Sequence, residues 1–137
     1  MNLDLPGIFP GNRRAAVSLT YDYAFPEHLD LVIPQLESFD LRGTFYIPTR
    51  FVESSAWNTR PDDWKRAAQA GHEIANHTQY HPCGKQGRDW IKPNFSLEAY
   101  SLSRIERELI DASTDIHNVV GEGGPVSYAY TCSEDWV

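Results

Sequence analysis

Nothing in the chain approaches the run of about 18 apolar residues that a membrane helix needs. The apolar stretch after Arg13 and Arg14 is interrupted at Asp22 before it could serve as a signal core. The sequence shows neither a membrane span nor a visible export signal. Cysteine is scarce: Cys83 and Cys132 are the only two, and they form no C-x-x-C pair, so neither a disulfide framework nor a cysteine zinc motif is implied by count and spacing. Basic residues are outnumbered, 12 Lys and Arg against 19 Asp and Glu, for a net charge of -7. No contiguous basic stripe remains to release counterions from a phosphate backbone, which argues against nucleic acid as a partner. Internal repeats and low-complexity segments are absent as well.

What is present suits an ordinary globular domain. Hydrophobic residues make up 41% and charged residues 23% of the 137 positions. That length supports one domain and is too short for two, so residues 1–137 read as a single unit.

Along the chain, strands and helices alternate. Residues 15–20 read as a short buried strand ending at the polar pair Tyr21 and Asp22. From Glu27, the residues Leu29, Val32, Ile33 and Leu36 fall on one helical face, with a kink expected at Pro34. Residues 42–48 form a second strand by their aromatic and β-branched content. Thr59, Pro61, Asp62 and Asp63 predict a helix start with Thr59 as the capping hydroxyl; Gly71 is its stop, and Trp64, Ala67 and Ala68 face the core. Residues 72–75 make a third strand, and 83–95 a surface loop. Ser96 is expected to cap a long helix with Leu102, Ile105 and Leu109 inward, Arg104, Glu106, Arg107 and Glu108 outward, and an end near 114–118. A turn of Gly121, Gly123, Gly124 and Pro125 leads into a fourth strand at 126–130. Such β-α-β-α-β-α-β order predicts parallel pairing, with ligands bound at the C-terminal ends of the strands.

Chemistry-bearing residues converge on that edge: Asp22 after the first strand, His77 and His81 after the third, Cys132 after the fourth. The His77-x-x-x-His81 spacing puts both rings on one side of a helical turn, where they could hold zinc, cobalt or nickel. Taken alone, the same spacing also arises by chance in a solvated loop, and an isolated Asp22 reads as a capping or turn carboxylate.

The string from Gly71 to Pro82, GHEIANHTQYHP, resembles the second motif of the polysaccharide deacetylase family (carbohydrate esterase family four), written GHEIGNHTxxHP. Leu19-Thr20-Tyr21-Asp22 is similar to its first motif, and Gly43-Thr44-Phe45-Tyr46-Ile47 to the strand that follows. The resemblance implies a metal-dependent hydrolase that removes N- or O-linked acetyl groups from polysaccharides, with an acetylated glycan as its partner. It assigns Asp22 as the general base and His77 and His81 as ligands of a divalent metal, zinc by preference and cobalt or nickel otherwise. It also implies an extracytoplasmic or cell-envelope location.

Three departures stand out. Tyr23 occupies the place of the family's second aspartate, a metal ligand, and a phenol with a pKa of about 10 is a poor substitute. His28 and Asp30 lie within the first helix and do not replace it. Tyr128-Ala129-Tyr130-Thr131-Cys132 resembles FAYPCG, a variant third motif; Ala129 stands where others carry an arginine, and Thr131 where others carry proline. On that alignment Tyr130 and Cys132 border the substrate, and the backbone N–H near Cys132 helps hold the oxyanion. The family's later motifs, with the acetyl pocket and a histidine acid, would fall beyond Val137, so the domain is expected to be truncated after its third motif.

The resemblance further implies an irregular, seven-stranded (β/α) barrel, of which this chain supplies about the first four strands. The parallel edge left open is expected to be met in one of three ways: by pairing with a second copy as a homo-oligomer, by further strands, or because the chain is a fragment. Both cysteines are expected near the strand ends, as a disulfide, as a thiol beside the metal, or as two unpaired thiols. Trp57, Trp64, Trp90 and Trp136 read either as sugar-stacking residues or as core and rim. The alternative function is a catalytically weakened or inactive carbohydrate- or metal-binding domain.

Overall fold

In the computed structural model, which describes residues 9–122 and 124–133, three strands lie parallel in the order β1-β2-β3: β1 Thr20–Asp22, β2 Thr44–Ile47 and β3 Glu73–Asn76. Thr20 pairs with Thr44, and Thr44 with Glu73, so Asp22, Ile47 and Asn76 end their strands at one edge. The first strand is shorter and later than its composition suggests. Residues 15–19 belong to no strand, and Val17 is 83% exposed, because the pairing register with β2 begins only at Thr20.

The helical segment after β1 opens as a π-turn, His28–Val32, in which the Ile33 N–H reaches His28 O, and continues as α1, Ile33–Ser38. The change of register falls at Pro34, which has no N–H for an α-helical bond. Gly43 then lets β1, α1 and β2 close up. A Cβ there would lie 3.1 Å from Leu36 Cδ1, 3.2 Å from Leu19 O and 3.2 Å from the Tyr21 ring.

The expected cap at Thr59 is corrected. Thr59 ends a separate short helix, α2 (Ala56–Thr59), and its hydroxyl donates to Ser55 O, while α3 (Pro61–Gln69) starts at Pro61 behind Arg60. Trp64 and Ala67 of α3 are buried as expected, and Gly71 turns the chain at φ +96°.

The long helix α4 spans Leu102–Val120, later at both ends than the sequence implied. Ser101, not Ser96, accepts the Arg104 N–H; Ser96 instead heads a 3-10 turn, Leu97–Ala99. The buried face is also rotated. Glu108, Ala112, Ile116 and Val120 point inward, whereas Leu102 is 81% exposed. A carboxylate tolerates this place because both oxygens have partners: the Tyr100 hydroxyl donates to Glu108 Oε1 at 2.5 Å, with Arg104 3.9 Å away, and the Tyr80 N–H donates to Oε2 at 3.4 Å. Ile33, Leu36, Phe45, Ile74, Trp64, Ile116 and Val120 form one apolar core between sheet and helices.

The fourth strand is reduced to a single parallel bridge, Asn76 to Tyr128. The Asn76 N–H donates to Ser127 O and the Ala129 N–H to Asn76 O, but the Glu73 carboxylate takes the Ser127 N–H at 2.9 Å and so ends the ladder. The described residues thus form an α/β sheet of three strands, with a fourth segment touching its edge. Gly123 and Trp136, singled out in the sequence, lie outside the described residues.

Candidate active site at the strand ends

The geometry starts from Asn76, the last residue of β3. Its side-chain amide donates to Leu109 O and to Ser113 Oγ, both at 2.8 Å, which pins the strand end to α4. Its Oδ1 accepts the Thr78 N–H, and Thr78 Oγ1 accepts the His81 N–H at 2.9 Å. Thr78 and His81 take left-handed backbone conformations, φ +67° and +54°. The histidines are therefore gathered by a tight, non-helical turn rather than the helical turn that i, i+4 spacing suggested. The outcome is the same, with ring centroids 4.7 Å apart at 72°.

His77 is almost fully buried and its Nδ1 lies 2.9 Å from Ala129 O. A carbonyl can only accept, so Nδ1 carries the proton and Nε2 keeps its lone pair, the usual arrangement behind a ligating imidazole. That Nε2 is 4.0 Å from Asp22 Oδ2, whose side chain is 54% exposed at the end of β1. Burial lowers the His77 pKa, opposed by the Ala129 carbonyl and Asp22. Burial, followed by repulsion from His77, brings His81 down to about 4 despite its own carbonyl. Both rings are neutral near pH 7.

A pH dependence of stability follows. An unfolded histidine titrates at about 6.5, above the folded value of His81, and burial lowers His28 and His72 in the same direction. Between those values the unfolded chain binds more protons. Stability should hold above about pH 6.5 and fall as the pH drops towards about 4. Urea midpoints across that window check this; a flat profile contradicts it.

Tyr23 packs against both histidines. It has φ +68°, and its ring stacks on His81 at 4.9 Å and meets His77 edge-on at 6.0 Å. Phe25 and Phe51 flank it at 5.5 and 5.9 Å. Burial, then the Asp22 charge, raises the Tyr23 pKa, so the phenol stays protonated. Tyr23, Thr78, His81 and Cys132 are all non-glycine residues at positive φ, a concentration of backbone strain typical of functional sites.

Cys83 and Cys132 form a disulfide across 49 residues, which selects one of the three alternatives left open for them. Cys132 reaches the histidine loop, since Cys83 Sγ is 3.4 Å from His81 Nδ1. Tyr130 is 58% exposed and packs against Tyr128 at 5.0 Å. Thr131, in the place of proline, is buried and its hydroxyl donates to Pro82 O. Asp30 is engaged with Arg60 at 2.7 Å, and His28 is enclosed by Tyr21, Phe25 and Phe45.

Two grooves meet at Phe51. One, of about 470 Å³, is lined by Tyr23, Phe25, Pro48 and Val52; the other, of about 220 Å³, by Tyr80, His81, Trp90 and Phe95. Of the described tryptophans, Trp57 and Trp64 are core, and Trp90, 61% exposed, lines the second groove. A wider cavity of about 690 Å³ holds the Arg50–Asp115 pair instead of the histidines. Phe25, Phe51 and the Ala129 carbonyl escaped the sequence reading, since aromatic type and a backbone oxygen carry no motif signal.

The donor chemistry fits a divalent cation: two neutral imidazoles side by side, one with its tautomer fixed by a carbonyl. Residues 10–134 match the family model for polysaccharide deacetylase. Similar solved structures include the Streptococcus pyogenes deacetylase PplD in complex with acetate, 22% identical with a TM-score of 0.69 over 90% of this chain and 48% of that one. A family 4 carbohydrate esterase from Streptomyces lividans, also with acetate, is 20% identical with a TM-score of 0.62 over 86% and 52%. A mutant of a family 4 pseudoenzyme with restored enzymatic activity is 20% identical with a TM-score of 0.61 over 85% and 36%. The chain therefore spans about half the length of the first two and less of the third.

Proposed function

The chain belongs to the polysaccharide deacetylase family, and from that premise we propose that it hydrolyses N- or O-linked acetyl groups of an acetylated polysaccharide. The observation that carries this reading is His77, with Nδ1 held on Ala129 O at 2.9 Å and a free Nε2 facing Asp22 at 4.0 Å. In this proposal His77 and His81 hold a divalent metal, zinc by preference and cobalt or nickel otherwise, which when bound supplies Lewis-acid polarisation of the acetyl carbonyl. Asp22, exposed at the end of β1, accepts the proton of the attacking water. The backbone beside Cys132 offers a donor for the oxyanion, and Tyr130 lines the approach of the glycan. The acetate bound by two similar solved structures supports an acetyl-sized product at this fold's site.

A second reading rests on Tyr23: a domain that binds glycan or metal with little or no turnover. The ring stacked on His81 supplies no anionic ligand, and the family includes a pseudoenzyme whose activity a mutant restored. Homo-oligomerisation through the sheet belongs to either reading, since the outer edge of β1 pairs with no strand among the described residues.

Metal content after purification, measured with acetate release from acetylated chito-oligosaccharide and acetylxylan in added zinc or cobalt, separates them. The deacetylase reading expects metal and acetate in the wild type and loss of both in His77→Ala. Metal or glycan binding without acetate leaves the second reading.

A further inference from the structure

The sulfur atoms of Cys83 and Cys132 and one ring nitrogen of His81 lie within 4.8 Å of one another, on buried or half-buried residues. As a disulfide the two sulfurs offer no thiolate. We propose that reduction of this bond opens a three-donor site for zinc made of His81, Cys83 and Cys132, which shares His81 with the two-histidine arrangement and differs from it in its two sulfur donors.

The spacing suits that ion. A tetrahedral zinc with Zn–S of about 2.3 Å and Zn–N of about 2.0 Å places nitrogen and sulfur about 3.5 Å apart, and two sulfurs about 3.8 Å apart. His81 Nδ1 already stands 3.4 Å from Cys83 Sγ. The sulfur pair must separate, and Cys132 Sγ, which lies within 4.8 Å of the ring nitrogen, must settle at the same spacing; breaking the S–S bond frees both adjustments. Two cysteines and one histidine leave a fourth position open for water.

The surrounding backbone holds both cysteines in place without the disulfide. The Leu97 N–H donates to Cys83 O at 3.0 Å, the Thr131 hydroxyl to Pro82 O, and the Ala129 N–H to Asn76 O at 3.1 Å. After reduction the thiols therefore remain neighbours, beside a buried imidazole. His81 and Cys132 also hold left-handed backbone angles of +54° and +55°.

The redox step needs an external dithiol. Its two thiols deliver two electrons and two protons to the Cys83–Cys132 bond, yielding two cysteine thiols and a cyclic disulfide. Zinc then binds as both thiols release their protons to solvent. The inference does not depend on deacetylase activity.

The test titrates cobalt, as a spectroscopic probe for zinc, into the oxidised chain and into dithiol-reduced, desalted chain kept anaerobic. Circular dichroism is recorded on the same samples. The reduced wild type should show thiolate-to-cobalt charge-transfer absorption saturating near about one equivalent and bleached by zinc, and the oxidised chain none. Cys132→Ser and Cys83→Ser should lose the band, His81→Ala should weaken it at least about tenfold in cobalt affinity, and His77→Ala should keep it. A folded, reduced chain without the band overturns the proposal. So does a band that survives Cys132→Ser, or a fold lost on reduction that cobalt does not restore. Acetate plays no part in the readout, so either reading can fail while the other stands.

Discussion

Asp22→Asn is expected to lower acetate release by about 10²- to 10⁴-fold, the range for removing a positioned general base, while metal content stays near that of the wild type. Asparagine keeps the shape of the side chain at the end of β1, where it is 54% exposed, so little folding energy is at stake. What it removes is a carboxylate 4.0 Å from His77 Nε2. A loss confined to kcat, with KM and metal content steady, marks a base. Equal losses of metal and activity would make Asp22 a ligand instead and overturn its assigned role. An unchanged rate would remove it from the chemistry.

Tyr23→Asp should act in the opposite direction, raising both metal affinity and acetate release by about 100-fold or more. Three physical effects point the same way. The substitution lifts an aromatic ring from the face of His81, where it now stacks at 4.9 Å. It supplies an anionic oxygen in place of a phenol that burial keeps protonated. It also eases the backbone, because aspartate accepts the left-handed conformation at φ +68° more readily than tyrosine does. Lost contacts with Phe25 and Phe51 oppose these gains. Metal titration calorimetry and acetate assays on the same protein decide the matter. Tighter metal without faster acetate release would show that ligation was not the deficit and would turn attention to Ala129 and the substrate groove.

How much of this was legible in the sequence depends on range. The strand ends carrying Asp22 and His77 were readable, because alternation and motif spacing are local signals. The face of α4 was misread because Leu102 looks like core, whereas the buried position belongs to Glu108, whose acceptability depends on Tyr100, eight residues earlier in the chain. The same limit applies to the caps. Thr59 and Ser96 are good capping residues chemically, and only packing shows that Ser101 does the work in α4. In the site, the histidine pair was visible, but the left-handed turn that gathers it was not. Nor was the stacking of Tyr23, which depends on where β1 ends relative to β3. The disulfide was one of three alternatives, since pairing over 49 residues cannot be read from spacing.

The segment between the two histidines is splinted to α4. Asp115 accepts from Thr49 Oγ1 at 2.8 Å, from Arg50 Nε at 3.1 Å and from Gln79 Nε2 at 3.0 Å, and Gln79 sits between His77 and His81. Asn76 is fixed to the same helix from the other end of the turn. The entropy of ordering this loop is therefore lost during folding, before any cation arrives. A metal entering such a frame gives up little to organise its ligands, so its affinity is set by the charge and number of the donors it meets. On the proposed function, position 23 would then control occupancy, and Asp115, remote from any bond to the ion, would be the residue whose loss turns a rigid receptor into one that must be assembled at each binding event.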